Sequence, residues 1–195
     1  MGITRRICFI INCLTCTYIC HASCNITQQQ QISALFNLMA TRASYMKNVA
    51  AHKYNESNSN NIFDAKQEGR VLGNSATIAK QYGLNAFSVM QFIQIQMDIS
   101  KLIEFYWYQQ WNNKIVAKPD VNNILSLDNL RTQIKETDNK IFTIIKPTLP
   151  IISTCDRATV DNLFAQSFQS VIGIPDKPDY KGLLEYSVTN IKIAQ

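Results

Sequence analysis

Histidine is nearly absent from this chain of 195 residues: His21 and His52 are the only two. That excludes a His-rich metal site, and no metal ion is expected. Glycine and proline are scarce, at six and five. No GxGxxG, P-loop or GxSxG run occurs, which removes the usual dinucleotide, phosphate-cradling and nucleophile-elbow motifs. Internal repeats are missing, and strand-like alternation is rare. Charge is modest too, with 17% charged residues and a formal net charge of +5. There is no basic stripe interleaved with aromatics, so nucleic acid is not an expected partner. The charge supports only a weak preference for small anions.

Cysteine is plentiful only at the start. Five of the six (Cys8, Cys13, Cys16, Cys20 and Cys24) lie at or before position 24, and Cys155 stands alone in the rest. They have no metal-site spacing. Arg5-Arg6 precede an apolar run from Ile7 to Ile19, and the small residues Ala22 and Ser23 follow. A positive start, a short apolar stretch and a small-residue exit describe a secretory signal peptide over 1–22, cut after Ala22. The run is shorter than the roughly 20 residues a membrane-spanning helix needs. A lipid anchor on Cys24 fits less well, because His21 replaces the usual aliphatic residue. Losing Arg5 and Arg6 leaves about +3 on the mature chain, with periplasmic or secreted localisation and no membrane attachment. In an oxidising compartment Cys24 can pair with Cys155; an unpaired, buried Cys155 suits the sequence equally.

The mature chain reads as one all-α domain over 23–195, with six helices. Ile32, Leu35, Phe36, Met39, Ala43, Met46 and Ala50 keep helical spacing, which predicts a first helix from Gln28 to Tyr54. A polar loop, Asn55–Asn61, follows. A second helix is expected from Asp64 to Gly83, and a third, capped by Asn85, to about Trp111. After a linker the fourth runs from Ser126–Asp128 to Pro147. Ser153-Thr154-Cys155-Asp156 resembles a capping box for a fifth. A sixth spans Tyr180–Ile191.

Several charges sit on helical faces. Arg42 and Lys53 are 11 residues apart, about three turns, and so share one side of the first helix. Asp64 and Glu68 are an i, i+4 pair, as are Ser100 and Glu104. Taken singly, most such charges are solvated, and an acid in a first turn often serves the helix dipole. Glu104 is different. Leu102, Ile103, Phe105 and Tyr106 surround it, and a carboxyl buried among apolar side chains requires a partner.

The ordered set Arg42, Lys53, Asp64-x-x-x-Glu68, Val71-Leu72, Gln96-x-x-x-Ser100-x-x-x-Glu104 and Arg131 resembles the helical chorismate mutases. The likeness is closest to their secreted, periplasmic-type class, and it covers roughly residues 32–142. It implies a six-helix bundle of the type II kind, with a catalytic part over 28–142 and bracing helices over 143–195. It also implies a homodimer with a separate site in each chain. The substrate it implies is chorismate, rearranged to prephenate without cofactor. Arg42, Lys53 and Arg131 would hold the two substrate carboxylates, with Lys53 also facing the ether oxygen. Glu68 would receive the substrate hydroxyl, Asp64 would lie beside it, and Ser100 would sit near a carboxylate. Glu104 would hydrogen-bond the ether oxygen. The catalytic group is thus Lys53, Glu104 and Arg42. One position departs: Gln67 stands where the family has arginine, with Arg70 one turn further on. An alternative reading is a non-enzymatic helical interaction protein on the same scaffold, with Gln67 marking a decayed site.

Overall fold

The computed structural model describes residues 24–57, 62–63 and 65–194. The expected signal peptide, most of the polar loop and Asp64 lie outside the described residues. Among those described, the architecture is all-α, as the spacing predicts. The helices are α1 (Ile26–Ser44), α2 (Met46–Ser57), α3 (Ala65–Gly73), α4 (Ser75–Tyr82), α5 (Ala86–Asn112), α6 (Leu127–Thr154), α7 (Arg157–Ser167) and α8 (Tyr180–Thr189). None is long and apolar enough to cross a membrane.

Two predicted helices are each divided in two, and a serine hydroxyl bonds the backbone at each division. Between α1 and α2 the Ser44 hydroxyl donates to the Thr41 carbonyl at 2.7 Å. Between α3 and α4 the Ser75 hydroxyl donates to the Leu72 carbonyl at 2.6 Å. A hydroxyl that occupies a backbone carbonyl competes with the helical ladder and bends it. Tyr45 nevertheless keeps right-handed helical angles, so α2 continues onward from α1. It also extends past the predicted end at Tyr54, to Ser57.

The predicted stop at Pro147 is a misreading. α6 runs through Pro147 and Pro150 to Thr154. Each proline removes one backbone donor, a cost of about 3 kcal/mol or more. Burial of Ile145, Leu149 and Ile152 offsets it, and α6 lies along α1 in the most extensive helix pairing. The expected capping box is also partly corrected. Ser153 and Thr154 finish α6, and Asp156 alone caps α7, accepting from the Thr159 N–H at 2.8 Å. Asn85 caps α5 as predicted. Gly83 ends α4 with φ of 63°, a left-handed conformation that favours glycine.

One continuous apolar core draws on every helix except α3. Phe36 meets Phe164 edge-on at 5.1 Å, fixing α7 to α1. Phe142 contacts Tyr82 and Phe92, joining α6 to α4 and α5. The C-terminal tail returns to the start of α5, where the Asn85 N–H donates to the Lys192 carbonyl at 2.8 Å.

The pairing that the sequence left open is made: Cys24 and Cys155 form a disulfide with Cα atoms 5.1 Å apart. It ties the start of α1 to the α6–α7 junction across 131 residues of sequence. Replacing both cysteines by serine should lower unfolding free energy by about 2–5 kcal/mol, because the unfolded chain regains the closed-loop entropy. Denaturant titration of parent and variant measures this.

Glu185 of α8 is buried against α7, with Arg157 Nη2 at 2.9 Å. Burial first, then a hydrogen bond with Asp161, push its carboxyl from 4.5 up to about 7; Arg157 opposes this and Asp179 adds to it. The folded chain therefore keeps a proton that the unfolded chain loses. Its contribution to stability is complete below about pH 4.5 and lost as pH rises to about 7. Glu185→Gln should flatten the decline in melting temperature across that interval, as a pH series of thermal melts will show.

Candidate active site

A cavity of about 700 Å³ opens between α1–α2, α3–α4, α5 and α6. Its lining includes Arg42, Lys53, Gln67, Glu68, Ser100, Glu104 and Arg131. Every site residue singled out from the sequence is therefore gathered there except Asp64, which lies outside the described residues. α1 and α2 deliver Arg42 and Lys53, α3 delivers Gln67 and Glu68, α5 delivers Ser100 and Glu104, and α6 delivers Arg131. The bend at Tyr45 does not part the first two.

Glu104 lies deepest, 4% exposed in the middle of α5. Lys53 Nζ donates to Glu104 Oε2 at 2.7 Å and to the Ile62 carbonyl at 3.3 Å. Burial pushes the Glu104 carboxyl above its ordinary value; the Lys53 ammonium pulls it down, Glu68 raises it and Lys101 lowers it. Burial prevails, even beside a cation.

Arg42 is held from two sides. Its Nε pairs with Asp138 Oδ1 at 2.7 Å, and its Nη1 donates to Ser100 Oγ at 3.2 Å. Ser100 in turn donates to the Gln96 carbonyl at 2.8 Å. This fixes the guanidinium plane through two of its three nitrogens. On the opposite wall Glu68 Oε2 receives Lys101 Nζ at 3.1 Å. Gln67 accepts a hydrogen bond from the Arg70 guanidinium, so a cation stands beside the position where the sequence has an amide. Arg131 sits at the rim, half exposed and paired with the exposed Asp128 at 3.5 Å.

Sequence reasoning missed Asp138 and Lys101. Asp138 lies seven residues after Arg131 on α6, two turns on and so on the same face. Lys101 directly follows Ser100, and its i, i+3 spacing from Asp98 was the available signal. With Lys135 also lining the cavity, cations outnumber carboxylates there. A small molecule carrying more than one negative charge suits such a wall.

Residues 33–105 match the family model of chorismate mutase type II. The secreted chorismate mutase of Yersinia pestis is 30% identical over 116 residues, 59% of this chain. The chain spans about three fifths (59%) of the length of that curated relative. Among solved structures, the secreted chorismate mutase from Yersinia pestis superposes with a TM-score of 0.68 at 23% identity, over 82% of this chain and 97% of that one. Chorismate mutase from Burkholderia phymatum gives 0.65 at 21% identity, over 87% and 99%. The fold is the all-α fold of these proteins, and the chain resembles the secreted helical chorismate mutases.

Proposed function

We propose that this chain is an exported chorismate mutase that rearranges chorismate to prephenate in the cavity between α1–α2, α3, α5 and α6. The observation that carries this reading is convergence: Arg42, Lys53, Glu68, Ser100, Glu104 and Arg131, scattered over 90 positions of sequence, line one cavity. Chorismate is a dianion, and its rearrangement is unimolecular. Catalysis therefore consists of holding the compact reactive conformer and placing fixed charge where polarity develops.

In this reading Arg42, oriented by Asp138 and Ser100, grips one substrate carboxylate, since a guanidinium offers donors along one edge. Arg131 closes on the substrate from the rim. Glu68 receives the hydroxyl, with Gln67 on the same wall. Lys53 faces the ether oxygen whose bond breaks. Lys53 is paired with Glu104. A protonated Glu104 releases it and donates a hydrogen bond of its own to the ether oxygen. The raised carboxyl fits that task, because an ionised one would repel the electron-rich oxygen.

A homodimer with a separate site in each chain is what the resemblance implies. The one continuous core supports a single domain over 23–195. Export is supported by the leader-like start, by the Cys24–Cys155 disulfide, and by a relative described as secreted.

The direct test follows loss of chorismate absorbance with purified protein. The parent should turn over, and Lys53→Ala should lower kcat by about 10²–10³-fold, the usual cost of one preorganised charge-stabilising donor. Equal background rates in both proteins would defeat the proposal. Turnover should also fall as pH rises through the raised Glu104 value, because the donor is lost on ionisation. In Glu104→Gln the amide donates at every pH, so the fall should flatten; a pH–rate profile unchanged by the substitution counts against the assigned role.

A further inference from the structure

Lys101 has no part in the mechanism so far, yet its ammonium is the most heavily engaged cation on the α3–α5 wall. Its Nζ lies 3.1 Å from Glu68 Oε2 and 2.9 Å from Asp98 Oδ1, with the Phe63 ring centroid at 5.4 Å. Asp98 is itself held by Gln94 Nε2 at 3.0 Å. Burial disfavours the ammonium, but hydrogen bonds to Asp98 and Glu68 outweigh this and hold it above its ordinary value. It is a fixed positive charge.

We propose that Lys101 is a positioning residue of the site: its ammonium pins the Glu68 carboxylate in the cavity wall and offsets that negative charge where it faces Glu104. The consequence for turnover rests on the chorismate mutase reading; the electrostatic claim does not. The charged groups that line the cavity with Glu104, among the described residues, come from every wall: Arg42 from α1, Lys53 from α2, Glu68 and Arg70 from α3, Lys101 from α5, and Arg131, Lys135 and Asp138 from α6. Of these, Lys53, Glu68 and Lys101 act on its proton, with Glu68 favouring the acid and the two lysines favouring the carboxylate. Lys101 therefore sets two things together. It aims the acceptor for the substrate hydroxyl, and it limits how far Glu68 raises its neighbour across the cavity. Without it, Glu68 faces Glu104 uncompensated, and Glu104 stays protonated to higher pH.

The experiment reads the Glu104 proton directly. Protein carrying carbon-13 at the glutamate side-chain carboxyls is titrated by NMR, with the Glu104 signal assigned through Glu104→Gln. Lys101→Met keeps the apolar stem and removes the charge; Lys101→Arg keeps the charge. Lys101→Met should move the Glu104 midpoint up by about half a pH unit, and Lys101→Arg should leave it in place. Glu68→Gln should move it down, which gives an independent reading should Lys101→Met fail to fold. The falling limb of turnover should follow each shift, about threefold in rate at a pH on that limb. A Glu104 midpoint indifferent to both Lys101→Met and Glu68→Gln overturns the inference, as does an equal shift in Lys101→Arg. Titration needs no substrate. Protein that titrates as expected but leaves chorismate intact upholds the role of Lys101 and defeats the catalytic reading instead.

Discussion

A carboxyl group buried in the middle of a long apolar helix constrains everything around it. Glu104 cannot sit at 4% exposure between α2, α3 and α6 without a cation in reach, because an uncompensated charge in that setting costs several kcal/mol. Lys53 answers at 2.7 Å, which requires α2 to lie against α5 with that face turned inward. Because α2 continues from α1, the same placement carries Arg42, less than one turn before the bend at Tyr45, to the cavity wall. The Arg42 guanidinium must then find its own anion, and Asp138 supplies it from α6. One buried acid thus links α1, α2, α5 and α6, four of the helices that bound the site.

Much of this was legible in the sequence, because helical spacing states which residues share a face. Arg42 with Lys53, and Ser100 with Glu104, are readable as pairs by counting turns, and Glu104 is conspicuous by its apolar neighbours. Helix starts at Asn85 and Ser126 follow from side-chain oxygens that can accept the free N–H groups of a first turn. Each of these signals is local. A reader needs only a few consecutive residues to see it.

What stayed hidden depends on partners far away in the chain. α6 survives Pro147 and Pro150 because its inner face is packed against α1, and a local rule that ends helices at proline has no access to that burial. Asp138 looks like any surface acid until Arg42, 96 residues earlier, is seen beside it. The disulfide is of the same kind: the Cys24 and Cys155 Cα atoms come to 5.1 Å only because Phe36, Phe164 and their neighbours hold α1 against α7. The two divisions, at Tyr45 and Asn74, are local but subtle. A serine hydroxyl bonds a backbone carbonyl of the preceding turn at each.

The cavity also shows how a strongly cationic pocket can be held in order from within. Left unpartnered, Arg42, Lys53 and Lys101 would repel one another and draw in water, and their side chains would sample many rotamers. Asp138, Glu104 and Glu68 each hold one of them at 2.7–3.1 Å. These internal acids fix the cations in place before any ligand arrives, so the ordering entropy is lost on folding rather than on binding. The three pairs are not equivalent, however. Asp138 grips Arg42 at Nε and Lys101 holds Glu68 through Oε2, so neither pair takes up every donor or acceptor of its members. Lys53 and Glu104 meet face to face at the bottom of the cavity. That contact must open for Lys53 to turn toward a ligand, and a buried carboxyl held above its ordinary value by desolvation is the kind that accepts a proton and lets go.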